Sequence, residues 1–188
     1  MQFLNNIFLS LTLNAKGYKN YGNFDKTGEK KFIRKINKDL ILCIDIGANV
    51  GSYTNLLLSE TKAQIISFEP LPEAFNDLKK IEEKNLDRLK VFNYAIGDNN
   101  EFLELNYSND KSEKASFTKD LNKLSFYEFE KNKKIKSKVI TLDNFFNQNT
   151  HLFEKDIDLI KIDTEGFELE VIKGAKEIIK KKIPKYIQ

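Results

Sequence analysis

The sequence predicts an α/β fold in which a mostly parallel sheet carries helices on both faces. From about Leu40 onward, apolar runs of strand length alternate with segments of helical periodicity. The first run, residues 40–46, is apolar at almost every position, as expected of a parallel strand that is covered on both faces. Strand and helix in alternation are typical of a doubly wound sheet with right-handed crossovers.

The chain has 188 residues, 40% of them hydrophobic, enough for one substantial core with little room for a second. We therefore expect a helical N-terminal extension over residues 1–37 and a single sheet domain over residues 38–188. Phe32, Ile33 and Ile36 recur at helical spacing and predict a helix near the end of the extension.

The elements predicted after the first strand are a helix over 52–59, a strand over 64–68, a helix over 72–85 and a strand over 90–94. A polar stretch rich in lysine and asparagine, residues 106–136, is expected to be an insertion. Regular structure resumes over 138–142, and a strand over 157–162 precedes a helix whose buried residues are predicted to be Leu169, Val171, Ile172, Ala175, Ile178 and Ile179. Residues 185–188 resemble the opening of a fifth core strand, so the sheet is predicted to be truncated there with an exposed edge.

Charge and cysteine content exclude several classes of partner and site. A net charge of +3, with Arg34 and Arg88 as the only arginines, argues against nucleic acid. Cys43 is the single cysteine, which excludes an intrachain disulfide and suits a reducing compartment. The apolar N-terminal stretch is too short for stable membrane insertion, and no metal-ligand spacing occurs. We expect a cytoplasmic protein without a metal.

The first candidate site is the strand-to-helix junction that contains Asp45, Gly47, Asn49 and Gly51. Glycines allow the backbone to turn sharply and to approach a ligand. The junction lacks the middle glycine with which dinucleotide-binding folds approach a pyrophosphate. A cofactor without a pyrophosphate fits this junction better, and S-adenosylmethionine is one such cofactor. Its carboxylate suits the N–H groups of a helix, and an acidic side chain at the strand end suits its positive charges.

Two further strand ends supply the remaining cofactor-binding candidates. Glu69 stands directly after the second strand. It lies roughly 20 residues beyond the glycine-containing junction, the spacing at which adenosine-binding folds place an acidic residue on the ribose. Asn93 and Ala95 lie at the end of the third strand, where the adenine is expected, and either Asn93 or Asp98 could bond its edge.

The segment that follows the late strand carries the catalytic candidates. Methyl transfer requires an oxygen aligned with the methyl group and the removal of its proton, so a nearby carboxylate or histidine is the expected base. Asp163 and Glu165 are the two candidates, and His151, the only histidine, is a weaker third. A helix N-cap would also explain Asp163.

The motifs DIGANVGSYT, SFEPLPEAF and LIKIDTEGFELEVIKGA, with VFNYAIGD and VITLDNFF between them, resemble those of the FkbM-type methyltransferase family. The resemblance covers about residues 38–179. It implies a Rossmann-like class I methyltransferase sheet and S-adenosylmethionine-dependent O-methylation of a sugar, glycan or secondary metabolite. Members of the family usually continue through a fifth strand and a final hairpin. The acceptor implied is a small molecule or a glycan, and the resemblance does not say which. It does not identify the oligomeric state.

Two other functions remain open on the sequence. A nicotinamide-dependent oxidoreductase is disfavoured by the missing middle glycine. A catalytically silent cofactor-binding or scaffold domain would keep the same fold without turnover.

Overall fold

A computed structural model of the chain describes residues 28–107, 115–116 and 133–188. Within them, a central sheet has five strands, and all four neighbouring pairs run parallel. The mixed α/β architecture with a parallel central sheet confirms the predicted fold class. Most of the predicted N-terminal extension and of the predicted insertion lies outside the described residues, so the proposed domain boundary stays a prediction.

The strands of the central sheet are β1 Leu42–Ile46, β2 Gln64–Phe68, β3 Leu89–Phe92, β8 Leu159–Ile162 and β9 Tyr186–Ile187, and their order across the sheet is β3-β2-β1-β8-β9. The helices are α1 Glu29–Ile36, α2 Ser52–Glu60, α3 Pro72–Glu83, α4 Leu142–Gln148, α5 Glu168–Lys173 and α6 Lys176–Lys182, with short 3-10 turns at Asn37–Asp39 and Thr150–Phe153. No helix among the described residues combines the length and the apolarity that crossing a membrane requires.

A second sheet stands beside the first. It is formed by β4 Ala95–Ile96, β5 Glu101–Tyr107, β6 Ala115–Ser116 and β7 Lys133–Ile140, in the order β4-β7-β5-β6. β5 and β7 are antiparallel and pair along seven residues of each strand. The edges of the predicted insertion are therefore regular strands. The regular structure predicted over residues 138–142 is the end of β7, and Leu142 begins α4.

The two faces of the central sheet bury separate clusters because successive side chains of a strand point to opposite faces. Leu42, Ile44 and Ile46 of β1 pack with α4, α5 and α6. Cys43 packs on the other face with α1, α2 and α3, and burial raises the pKa of its thiol to about 12. Cys43 is therefore a core residue and not a nucleophile.

The predicted long helix after β8 is two short helices, α5 and α6, separated at Gly174. A Cβ at Gly174 would lie 1.8 Å from the carbonyl oxygen of Gly97. The residue that follows β4 of the second sheet is therefore in direct contact with the chain at this point. Leu169 and Ile172, predicted to be buried, are 60% and 43% exposed.

Candidate functional site

The sheet order brings the predicted strand ends together. β3, β2, β1 and β8 are consecutive neighbours that all run parallel, so their carboxyl ends lie along one edge of the sheet. Asp45 lies near the end of β1, and Glu69, Asn93 and Asp163 directly follow their strands. Ligands of open α/β sheets bind at this edge, so the candidate site has the location that the sequence indicates.

The turn between β1 and α2, residues 47–51 and here called the glycine loop, has three residues in the left-handed region of backbone conformation. Gly47, Asn49 and Gly51 have φ values of +78°, +49° and +84°. A Cβ at Gly47 would lie 2.0 Å from the carbonyl oxygen of Asp163. The glycine loop and the segment after β8 are therefore in direct contact, which only glycine permits at position 47.

Substituting Gly47 by Ala is expected to cost on the order of 3 kcal/mol or more of folding free energy, because a clash with backbone adds to the unfavourable φ. Gly28 is the matched control, since its φ is +87° and a Cβ there would meet nothing within 4 Å. Gly28→Ala should cost only about 1–2 kcal/mol. Urea unfolding of both variants measures the difference, and equal losses would show that the contact with Asp163 is unimportant.

Glu69 is buried, and its carboxyl group accepts hydrogen bonds from the glycine loop and from the segment that follows β2. Its Oε2 accepts the N–H of Asn49 at 2.7 Å, and its Oε1 accepts the N–H of Leu71 at 2.8 Å. Burial, which outweighs these two hydrogen bonds, raises the pKa of Glu69 to about 7. The carboxyl group therefore holds the glycine loop against the end of β2 and titrates near neutral pH.

Glu69 makes the stability of the fold depend on pH. Its pKa rises from an ordinary 4.5 to about 7 on folding, so between these values the folded chain binds the proton more tightly than the unfolded chain. The contribution to the free energy of unfolding is complete below about pH 4.5. It falls by roughly 3 kcal/mol as pH rises through 7. Urea unfolding over pH 4 to 8 should show this fall in the wild type relative to Glu69→Gln, whose side chain stays neutral. Parallel curves would contradict it.

Asp45 lies one layer below the surface of the site. It is fully buried, and its Oδ2 accepts a hydrogen bond at 2.7 Å from the hydroxyl of Thr54 in the first turns of α2. The Thr54 hydroxyl also lies 2.9 Å from that of Ser67 on β2. Asp45 thus anchors α2 to the sheet, and its proposed contact with a cofactor stays a prediction.

Lys161 belongs to the motif LIKIDTEGFELEVIKGA, but the sequence alone assigns it no role at the site. It is the register partner of Asp45 on the neighbouring strand, and its ammonium lies 3.4 Å from Asp45 Oδ1 and 3.4 Å from Asp163 Oδ2. The available signal was a lysine between two isoleucines in a buried strand, since period two directs it to the face opposite theirs.

The segment after β8, residues 163–166 and here called the catalytic loop, presents both predicted catalytic carboxylates. The side chain of Asp163 is 64% exposed, and Glu165 has a φ of +52°, which is unusual for a residue other than glycine. Glu168, also not predicted, braces the loop because its Oε1 accepts the N–H groups of Thr164 and Gly166 at 3.1 and 3.0 Å. Burial raises the pKa of Glu168, but the hydrogen bonds from these N–H groups outweigh burial, and the pKa is lowered overall. Glu168 therefore stays a hydrogen-bond acceptor.

The other candidates have less direct positions. Asn93 is exposed, and its amide donates to the carbonyl oxygens of Glu69 and Pro70 at 2.9 and 3.1 Å, so it braces the end of β2. Ala95 is buried in β4 of the second sheet, and Asp98 lies just beyond that strand. His151 is exposed in the 3-10 turn that precedes the amino end of β8. It therefore lies toward the edge of the sheet opposite Asp163.

Residues 45–188 match the family model described as Methyltransferase FkbM domain. The 2-O-methyltransferase NoeI of Sinorhizobium fredii (strain NBRC 101917 / NGR234) is 29% identical over 160 residues, which are 81% of this chain and 64% of that protein. The chain thus spans about two thirds of the length of this curated relative.

Two solved structures, of PRMT6-SAH and of PRMT6, align with TM-scores of 0.46 and 0.45. Each is 12% identical in sequence, and each alignment covers 84% of this chain and 41% of the matched one. The match to the family model extends over well over half of the chain.

Proposed function

Because the chain belongs to the FkbM family of methyltransferases, we propose that it transfers the methyl group of S-adenosylmethionine to a hydroxyl group of a sugar, a glycan or a secondary metabolite. The observation that carries the proposal is the placement of Glu69, the glycine loop and Asp163 along one edge of the parallel sheet. The 2-O-methyltransferase relative supports an oxygen acceptor.

The residues at this edge fit the chemical groups of the cofactor. Glu69 presents a carboxylate that suits two ribose hydroxyls, which are hydrogen-bond donors. The N-cap residue of α2 is Gly51, which has no side chain to accept the first N–H groups of the helix. These N–H groups therefore suit a carboxylate. Asp45 supplies negative charge beneath the loop. Asn93, with Ala95, stays the proposed neighbour of the adenine.

When bound, the cofactor supplies a methyl group on a positively charged sulfur. The protein has to align the acceptor oxygen and take its proton. We assign the base to Asp163, because its carboxylate is exposed to an incoming acceptor and is held by Lys161 at 3.4 Å. Glu165, on the same loop, is the proposed partner that orients the acceptor hydroxyl.

A labelled-methyl assay tests the proposed function. The chain is incubated with S-adenosylmethionine that carries a ¹³C methyl group and with a panel of free sugars, glycosides and oligosaccharides, and products are read by NMR and mass spectrometry. We expect a new O-methyl signal on at least one acceptor that has free hydroxyls. The same acceptor with that hydroxyl replaced by hydrogen should give none. Amino sugars in the panel provide the competing acceptor, and transfer to their amino groups alone would contradict O-methylation.

A further inference from the structure

A buried cation lies between the glycine loop and the catalytic loop. Lys161 is only 7% exposed, and its ammonium group has three oxygen partners. These are the Gly47 carbonyl at 3.3 Å, Asp45 Oδ1 at 3.4 Å and Asp163 Oδ2 at 3.4 Å. The first contact is a hydrogen bond and the other two are ion pairs, so one side chain contacts the glycine loop, β1 and the catalytic loop.

The surroundings of Lys161 keep it charged. Burial alone lowers the pKa of this lysine, but the carboxylates of Asp45 and Asp163 outweigh burial and the net shift is upward. The ring of Tyr53 on α2 lies 5.4 Å from the ammonium, and Glu69 interacts with it electrostatically from the end of β2. A buried lysine that stays protonated in this way keeps its positive charge next to its oxygen partners.

We propose that Lys161 is a positioning residue that couples the cofactor-binding glycine loop to the catalytic loop, so that Asp163 is held in place only when the glycine loop has its binding conformation. This inference rests on the proposed function. Lys161 acts through Gly47 and Asp163 and does not itself touch the acceptor. The contact between Gly47 and the Asp163 carbonyl gives the two loops a shared surface across which the lysine can act.

A second lysine and aspartate pair provides a matched control at the other end of the same strand. Lys185 lies 2.8 Å from Asp158, which is buried directly before β8 and whose Oδ2 accepts the N–H groups of Ile41 and Leu42. This pair consists of the same two residue types, with Lys185 about half exposed and paired with one carboxylate. It lies at the sheet edge remote from the candidate site, so its loss should affect stability alone.

The test is a double-mutant cycle on the affinity for S-adenosylhomocysteine, measured by calorimetry with Lys161→Met, Asp163→Asn and the double variant. We expect Lys161→Met to weaken binding about tenfold and Asp163→Asn about threefold, typical of coupled sites. The double variant should be no weaker than Lys161→Met alone, since the aspartate acts on the glycine loop through the lysine. Lys185→Met should lose stability and keep its affinity within about twofold.

Two outcomes would overturn the coupling. One is unchanged affinity in Lys161→Met, and the other is a double variant about thirtyfold weaker than wild type, which is the additive value. Lys161→Met leaves Asp45 buried without its cation, so Asp45→Asn with Lys161→Met is the version that preserves folding. In that background, Asp163→Asn should cause no further loss. No binding by the folded wild type would instead reject the proposed function.

Discussion

Replacing Asp163 by Asn is expected to lower kcat for methyl transfer by about 10²–10⁴-fold, the usual contribution of a positioned general base. Asparagine keeps the size of the side chain and removes its ability to take a proton. Affinity for S-adenosylhomocysteine should fall only a few-fold, so the loss lies in the chemical step. The measurement is steady-state kinetics with the acceptor found in the labelled-methyl assay.

Glu165→Gln is the matched control for this loss. Glu165 shares the catalytic loop and has a φ of +52°, but the ion pair with Lys161 belongs to Asp163. We therefore expect Glu165→Gln to reduce kcat by less than about tenfold. A larger loss in Glu165→Gln than in Asp163→Asn would assign the base to Glu165.

Replacing Glu69 by Ala is expected to weaken S-adenosylhomocysteine binding by about 100-fold, since hydrogen bonds to a charged group contribute roughly 1.5–3 kcal/mol each. Glu69 also holds the glycine loop through the N–H of Asn49, so its removal loosens a second part of the proposed site. Calorimetric titration of the variant at pH 8, where Glu69 is ionised, measures the effect.

Glu82→Ala controls for the loss of a buried carboxylate. Glu82 is buried on α3, and its Oε1 accepts the N–H of Val91 at 3.0 Å, as Glu69 accepts those of Asn49 and Leu71. The control should lose stability and keep its affinity. Equal affinities in Glu69→Ala and wild type would remove Glu69 from the binding site.

The first half of the sheet domain was predictable because its signals are local. The predicted strand over 64–68 is β2 itself, and the helices predicted over 52–59 and 72–85 differ from α2 and α3 by at most two residues at an end. Each of these elements is bounded by a glycine, a proline or a polar residue that adjoins its regularly spaced apolar residues. The same local signals are sufficient to predict that Glu69 and Asp163 lie at strand ends.

The errors come from contacts between residues distant in sequence. The break between α5 and α6 lies at Gly174, where a Cβ would meet the Gly97 carbonyl, and no local pattern reports that approach. β5 pairs with β7 across a polar stretch that has no clear period. The role of Lys161 was missed because it depends on register with Asp45, which a strand prediction does not fix.

The most direct test of the proposed function is calorimetric titration of the folded wild-type chain with S-adenosylhomocysteine, with NADH as the control ligand. We expect saturable binding of S-adenosylhomocysteine at about micromolar concentration and no binding of NADH. A folded chain that binds NADH, or that binds neither ligand, would contradict the proposed function.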